Sequence, residues 1–263
     1  MVVLHGCLQS AESMAFGTGW NQVADKNNLV LLYPQVPIKT NWLGCWNWFL
    51  PENQKRDSGE LKLVMSEIDQ VLSEKSLHHA SIYLVGISSG GATVASLLAC
   101  YPERFKAGAI HSGISYGLAQ TLFQGDQVLK HGPPKILPKR DCDPKAFKGS
   151  LLVIQGDEDT KVSPSNAPFI FKDFFEKDSP ISSKETPFED MSVVTSEYLS
   201  KEEGRARLVV VRSLGHAWSG FLENLRFREI LDPKGKVSTQ VPYFARKGPS
   251  ATNLIWDFFQ EKD

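Results

Sequence analysis

Apolar residues along this chain fall into short runs that alternate with helical faces. Residues 1–4, 29–33, 81–85, 106–110, 150–154 and 208–211 are short runs rich in Val, Ile, Leu and Tyr, and the pattern predicts strands there. Between them the spacing changes. Residues 14–26 predict a helix. Ser58 is placed to cap another, whose apolar positions Leu61, Val64, Met65, Ile68, Val71 and Leu72 recur every three or four residues and so share one face. Residues 91–99 are apolar all round, as a buried helix must be. Residues 250–259, with Leu254, Ile255, Phe258 and Phe259, predict a closing helix. Strands alternating with helices point to an α/β fold with a mostly parallel, doubly wound central sheet flanked by helices.

Four stretches interrupt the alternation. Residues 34–57 form a long loop with Trp42, Trp46 and Trp48. Residues 123–147 read as an irregular excursion rich in Pro, Lys and Asp, and 164–207 as a long insertion, polar past Phe175. Residues 221–248 are a further insertion. Loops of this length usually serve as lids or lack order. The chain of 263 residues fits one large domain, residues 1–263, carrying these insertions. A hydrophobic content of 41% supplies a sizeable core. With 29 basic and 30 acidic residues the net charge is -1, and no basic patch invites nucleic acid. No apolar run reaches the roughly 18 residues of a membrane span. Oligomeric state leaves no trace in the pattern. Cys7, Cys45, Cys100 and Cys142 allow three complete pairings, among which the sequence alone does not choose.

The chemistry centres on Gly86-Ile87-Ser88-Ser89-Gly90, between a predicted strand and the buried helix. Strand, sharp turn and helix is the setting in which G-x-S-x-G becomes a nucleophile elbow. A serine needs a base and an orienting acid, since its hydroxyl is a weak nucleophile at neutral pH. On this scaffold the chain order is Ser, acid, His. Gly156-Asp157-Glu158-Asp159 follows one predicted strand, and Gly215-His216 follows another. Both lie at strand C-terminal ends, where α/β sheets build sites. Of the three acids, Asp159 lies deeper in its loop and is placed to reach the His216 loop, whereas Asp157 would tighten the turn after Gly156. His111, following its own strand, reads as a structural group near the elbow, and His78 and His79 as solvated loop residues. An acyl intermediate also needs two oxyanion donors. The N–H of Ser89 supplies one, and the N–H of Cys7, in the first loop, the other. Trp46, Trp48 and Trp218 could line an aromatic wall for substrate or pack their loops onto the core. This chemistry calls for no cofactor and no metal.

Together, Leu4-His5-Gly6-Cys7-x-Gln9, Cys45-Trp46-Asn47-Trp48-Phe49, Gly86-x-Ser88-x-Gly90-Gly91, Gly156-Asp157-x-Asp159 and Gly215-His216-Ala217-Trp218 resemble the esterase family of poly(3-hydroxybutyrate) depolymerases, which borders feruloyl and acetyl-xylan esterases. The resemblance spans nearly the whole chain. It implies an α/β-hydrolase fold and carboxylic ester hydrolysis through an acyl-enzyme on Ser88, with Asp159 and His216 completing a triad and Cys7 and Ser89 forming the oxyanion hole. Its implied substrate is poly- or oligo-hydroxybutyrate or a short acyl ester. A feruloyl or acetyl-xylan type esterase is the alternative, and a catalytically silent binding module the alternative of another class. The resemblance favours a Cys7–Cys45 disulfide and hence the cell exterior or periplasm, with the cytoplasm as the alternative if the thiols are free. Cys100, inside an apolar helix, is expected to be free, and Cys142 has no assigned place. The chain departs from the family in two ways. Early strands ahead of the His-Gly loop are expected to be missing, and the insertion at 164–207 is longer than expected.

Overall fold

In a computed structural model the described residues are 1–37, 39–199, 204–220 and 243–261. Their strands are β1 (Val2–Leu4), β2 (Tyr83–Ile87), β3 (Ala107–His111), β4 (Ser150–Gly156), β5 (Ser182–Phe188), β6 (Met191–Glu197) and β7 (Ala206–Val211). The helices are α1 (Ala11–Gly17), α2 (Trp20–Asn27), α3 (Gly59–Glu74), α4 (Ser89–Cys100), α5 (Leu122–His131), α6 (Asn166–Phe175) and α7 (Ala251–Gln260). The strands join one sheet in the order β1-β2-β3-β4-β7-β6-β5. From β1 to β7 the neighbours run parallel, and β6 and β5 continue as an antiparallel hairpin.

The two-residue period of the central strands divides the core. Leu4, Leu84, Leu151 and Val153 face one side, where α3, α4 and α6 bring Leu61, Ile68, Val94, Leu97, Phe171 and Phe174. Val3, Val85, Ile87, Leu152, Ile154 and Val209 face the other, against Met14 of α1, Trp20 of α2 and Ile255, Phe258 and Phe259 of α7. Burial on both faces explains why these strands read as continuous apolar runs.

Several expected elements take a different form. The helix at 14–26 is two helices, because Gly19 takes φ 80° and resets the chain before Trp20. Residues 29–33 make a single parallel bridge, Val2 to Leu32, instead of a strand. The region 123–147 carries most of α5, capped by the Thr121 side chain accepting from Gln124 N. The polar stretch after Phe175 is the β5–β6 hairpin. β5 is exposed along most of its length, so it has no apolar face to announce it. Residues 221–242 lie outside the described residues. Ser58 stands at the start of α3 without a side-chain bond, and Asn53 Oδ1 accepts from Glu60 N there instead, at 2.8 Å.

Two disulfides staple the fold, Cys7–Cys45 and Cys100–Cys142. The second corrects the expectation of a free Cys100. Cys100 is the last residue of α4, where that helix meets the excursion carrying Cys142, so burial among apolar neighbours did not preclude a partner. The cross-link spans a sequence separation of 42. The double variant Cys100→Ser, Cys142→Ser is expected to lose about 2–4 kcal/mol of stability. Urea unfolding under non-reducing conditions measures this, and an unchanged midpoint would mean that the bridge constrains little.

Candidate functional site

The parallel strands end together, and the loops leaving β1, β2, β4 and β7 bring the expected residues to one edge of the sheet. Ser88 sits between β2 and α4 with φ 57° and ψ -121°, a backbone conformation that costs a non-glycine residue on the order of 1–3 kcal/mol. The flanking glycines make the turn possible. A Cβ on Gly86 would stand 2.4 Å from Gly90 O, and one on Gly90 would stand 2.4 Å from Leu4 O. The turn is therefore pressed against its own helix on one side and the β1 loop on the other. Ser88 N–H donates to His111 O at 2.9 Å, which ties the elbow to β3.

Asp159 follows β4 and is buried, and His216 follows β7. His216 Nδ1 lies 2.7 Å from Asp159 Oδ2. The other carboxylate oxygen accepts from the N–H groups of Lys161 and Val162, each at 2.8 Å. Burial alone would raise the pKa of this carboxyl, but His216 and the two backbone donors outweigh it and hold it below its ordinary value. Asp159 thus stays ionised, accepts from Nδ1–H and leaves His216 Nε2 as the basic nitrogen. Asp157 does a different job. It accepts from Ser213 N at 2.7 Å and pairs with Arg212, bracing the His216 loop without reaching the imidazole. Among the described residues the Ser88 hydroxyl makes no hydrogen bond, His216 included. Such contacts are often long until substrate arrives.

The first loop is held at every corner. His5 Nδ1 lies 2.8 Å from Gly6 O, while Val36 N–H donates to His5 Nε2 at 3.2 Å. That pair of contacts requires the neutral imidazole protonated on Nδ1, in line with a pKa lowered by burial. Gly6 N–H donates to Gln9 Oε1, and Trp46 Nε1 donates to His5 O. The Cys7–Cys45 bridge anchors the loop to residues 34–57. Cys7 Sγ lies 3.5 Å from Ser89 Oγ, so the two expected oxyanion residues are neighbours.

The three tryptophans are packed into the body of the protein. Trp46, Trp48 and Trp218 are 3%, 6% and 1% exposed. Trp46 Nε1 is committed to His5 O and Trp218 Nε1 to Thr252 Oγ1, while Trp48 packs among Ile114, Leu118 and Val128. Two contributors escaped the sequence reading. Gln155 Nε2 donates to Asp159 Oδ2 at 3.1 Å, and its signal was a polar residue inside the apolar run of β4. The Tyr243 ring meets His216 edge-on at 4.9 Å, from a stretch with no pattern to reveal it.

The architecture is that of the α/β-hydrolases. The acetyl xylan esterase from Aspergillus awamori shares it, with a TM-score of 0.65 at 16% identity over 88% of this chain and 86% of that one. The chain belongs to the family described as Esterase PHB depolymerase, whose profile matches residues 1–185, a stretch containing Ser88 and Asp159 but not His216. A feruloyl esterase B of Thermothelomyces thermophilus is 31% identical over 180 residues, 64% of this chain and 61% of that protein. A poly(3-hydroxyalkanoate) depolymerase C of Paucimonas lemoignei is 27% identical over 173 residues, 63% of this chain and 42% of that protein. The chain thus spans roughly half the length of the relatives it matches.

His111 makes the pH dependence of stability testable. It is fully buried, and burial first, then the neighbouring His216, pushes its pKa from 6.5 down to about 3. Between those values the unfolded chain binds a proton that the folded chain refuses. The stability at stake is complete above about pH 6.5 and is lost progressively as the pH falls toward 3. His111→Phe should flatten the dependence of the urea midpoint on pH in that window, and an unaltered slope would show that other groups set it.

Proposed function

We infer that this protein is a serine carboxylic-ester hydrolase. The observation that carries the reading is the 2.7 Å contact between Asp159 and His216 at the same sheet edge as the strained Ser88. In this mechanism His216 Nε2 takes the Ser88 proton as Oγ attacks the ester carbonyl. The oxyanion that forms is met by the N–H groups of Ser89, at the start of α4, and Cys7. His216 then gives its proton to the leaving alcohol. Water, activated by the same imidazole, hydrolyses the acyl-enzyme. Asp159 fixes the tautomer and stabilises the imidazolium.

The substrate proposed is poly- or oligo-hydroxybutyrate or a short acyl ester, in keeping with the family and the depolymerase of Paucimonas lemoignei. A second reading, a feruloyl or acetyl-xylan type esterase, is favoured by the feruloyl esterase B match. Initial rates on hydroxybutyrate oligomers, p-nitrophenyl acetate and butyrate, and methyl ferulate separate them. Preference for the aryl acid over the aliphatic acids would select the second. The two disulfides support an oxidising compartment, the cell exterior or periplasm. Among the described residues no helix is long and apolar enough to cross a membrane.

Ser88→Ala should lower kcat by several decades, because the triad acts as a unit. Labelling by a fluorophosphonate should vanish with it, and a wild-type protein that takes no label would indicate a silent binding module. Asp159→Asn is expected to lose about 10⁴-fold in kcat. Asp157→Asn should lose far less, since among the described residues its carboxylate touches Ser213 N and Arg212 and not the imidazole. The reverse ranking would move the orienting acid to Asp157.

A further inference from the structure

His111 is a buried imidazole at this edge of the sheet that the proposed reaction does not use. It ends β3, between the strand leading to Ser88 and the strand leading to Asp159. Its carbonyl receives the Ser88 N–H. Its ring is fully buried and stacks on Trp218, with centroids 5.2 Å apart and planes 22° from parallel. Its Nδ1 lies 3.1 Å from Ser112 Oγ, and its Nε2 is buried without a hydrogen-bond partner. A buried ring nitrogen left unsatisfied is costly, and a phenyl ring would fill the place without that cost.

From Trp218 the contacts continue to the base. Trp218 N–H donates to Tyr243 O at 2.8 Å, and the Tyr243 ring stands against His216. Trp218 is itself fixed, since Nε1 donates to Thr252 Oγ1 and the Thr252 hydroxyl donates to Thr18 O. An unbroken series of contacts therefore runs from the elbow through the His111 backbone and ring to Trp218, Tyr243 and His216.

We propose that His111 is a positioning residue for the reaction, a stacking platform that sets the His216 loop, through Trp218, in register with the Ser88 elbow. The proposal rests on the triad reading above. It assigns the ring's function to its flat face. Burial keeps the ring uncharged, which suits a place beside a base that must become an imidazolium, since two adjacent cations would repel.

The test is steady-state kinetics on p-nitrophenyl butyrate with His111→Ala, His111→Phe, Trp218→Leu and the His111→Ala, Trp218→Leu double variant, alongside their melting curves. His111→Ala should lower kcat by roughly 10- to 100-fold, the scale of a small misplacement of the base, with KM nearly unchanged. His111→Phe, which restores a flat ring, should recover most of the loss. Trp218→Leu, which also gives up the bond to Thr252, should lose at least as much as His111→Ala, and the double variant should lose less than the two single losses combined, because both break the same stack. Wild-type kcat in His111→Ala would overturn the proposal. So would a folded His111→Phe as slow as His111→Ala. If His111→Phe does not fold, the pair with Trp218 decides, and additive losses overturn it. A wild-type protein with neither turnover nor fluorophosphonate labelling would instead sink the triad reading itself.

Discussion

The strained backbone at Ser88 is the constraint around which the site is arranged. A serine at φ 57° is tolerated only if its neighbours leave no alternative, and each neighbour here has a traceable role. Gly86 and Gly90 let the turn close on itself and on the β1 loop. The Ser88 N–H is anchored to β3 and its carbonyl accepts from Ala92 N of α4, so the turn is held from the sheet and from the helix. In return the hydroxyl stands at the end of a parallel sheet, where the loops of β4 and β7 can approach it. Leu8, Ser112, Ser213 and Tyr243, in loops near the same edge, also have positive φ, as do Asn28, Asp57, Ser76, Glu176 and Glu189 elsewhere.

The surroundings of Asp159, His5 and His111 fix their protonation states. Asp159 receives Gln155 Nε2 and two backbone N–H groups besides His216, so its charge is stabilised away from solvent. His5, with one nitrogen facing a carbonyl and the other an N–H, can only be neutral. His111 is neutral because it is buried. Of the three imidazoles close to the elbow, His216 alone is hydrogen-bonded to a carboxylate among the described residues. Acid, base and structural roles are therefore separated by environment, with the same residue type serving two of them.

The disulfides mark the two places where long loops meet the sheet-and-helix body. Cys7–Cys45 joins the loop after β1 to the stretch carrying Trp46 and Trp48, and Cys100–Cys142 joins the end of α4 to the excursion after α5. Buried tryptophans and cross-links act together there, because loops of this length bury too little on their own to stay in one arrangement.

What the sequence by itself determined was everything set by local periodicity and order. The two-sided strands, the α3 face, the apolar α4 and the elbow were legible because each depends on residues a few positions apart, and Asp159 and His216 because each directly follows a legible strand in the chain order this scaffold uses. Asp159 was distinguished from Asp157 by loop depth alone, and the contacts of both follow that distinction. Only the tertiary structure decided the rest. The exposed β5 strand buries no face and so leaves no alternation, and its place at the sheet edge follows from pairing with β6. Cys100 found its partner 42 residues away through the packing of an excursion against the end of α4. Trp218 could be placed near His216 from sequence, but whether it faced substrate or core was settled by the His111 ring beneath it and the Thr252 hydroxyl at its edge. Such contacts join residues far apart in the chain, and no local pattern encodes which distant surface a buried ring will meet.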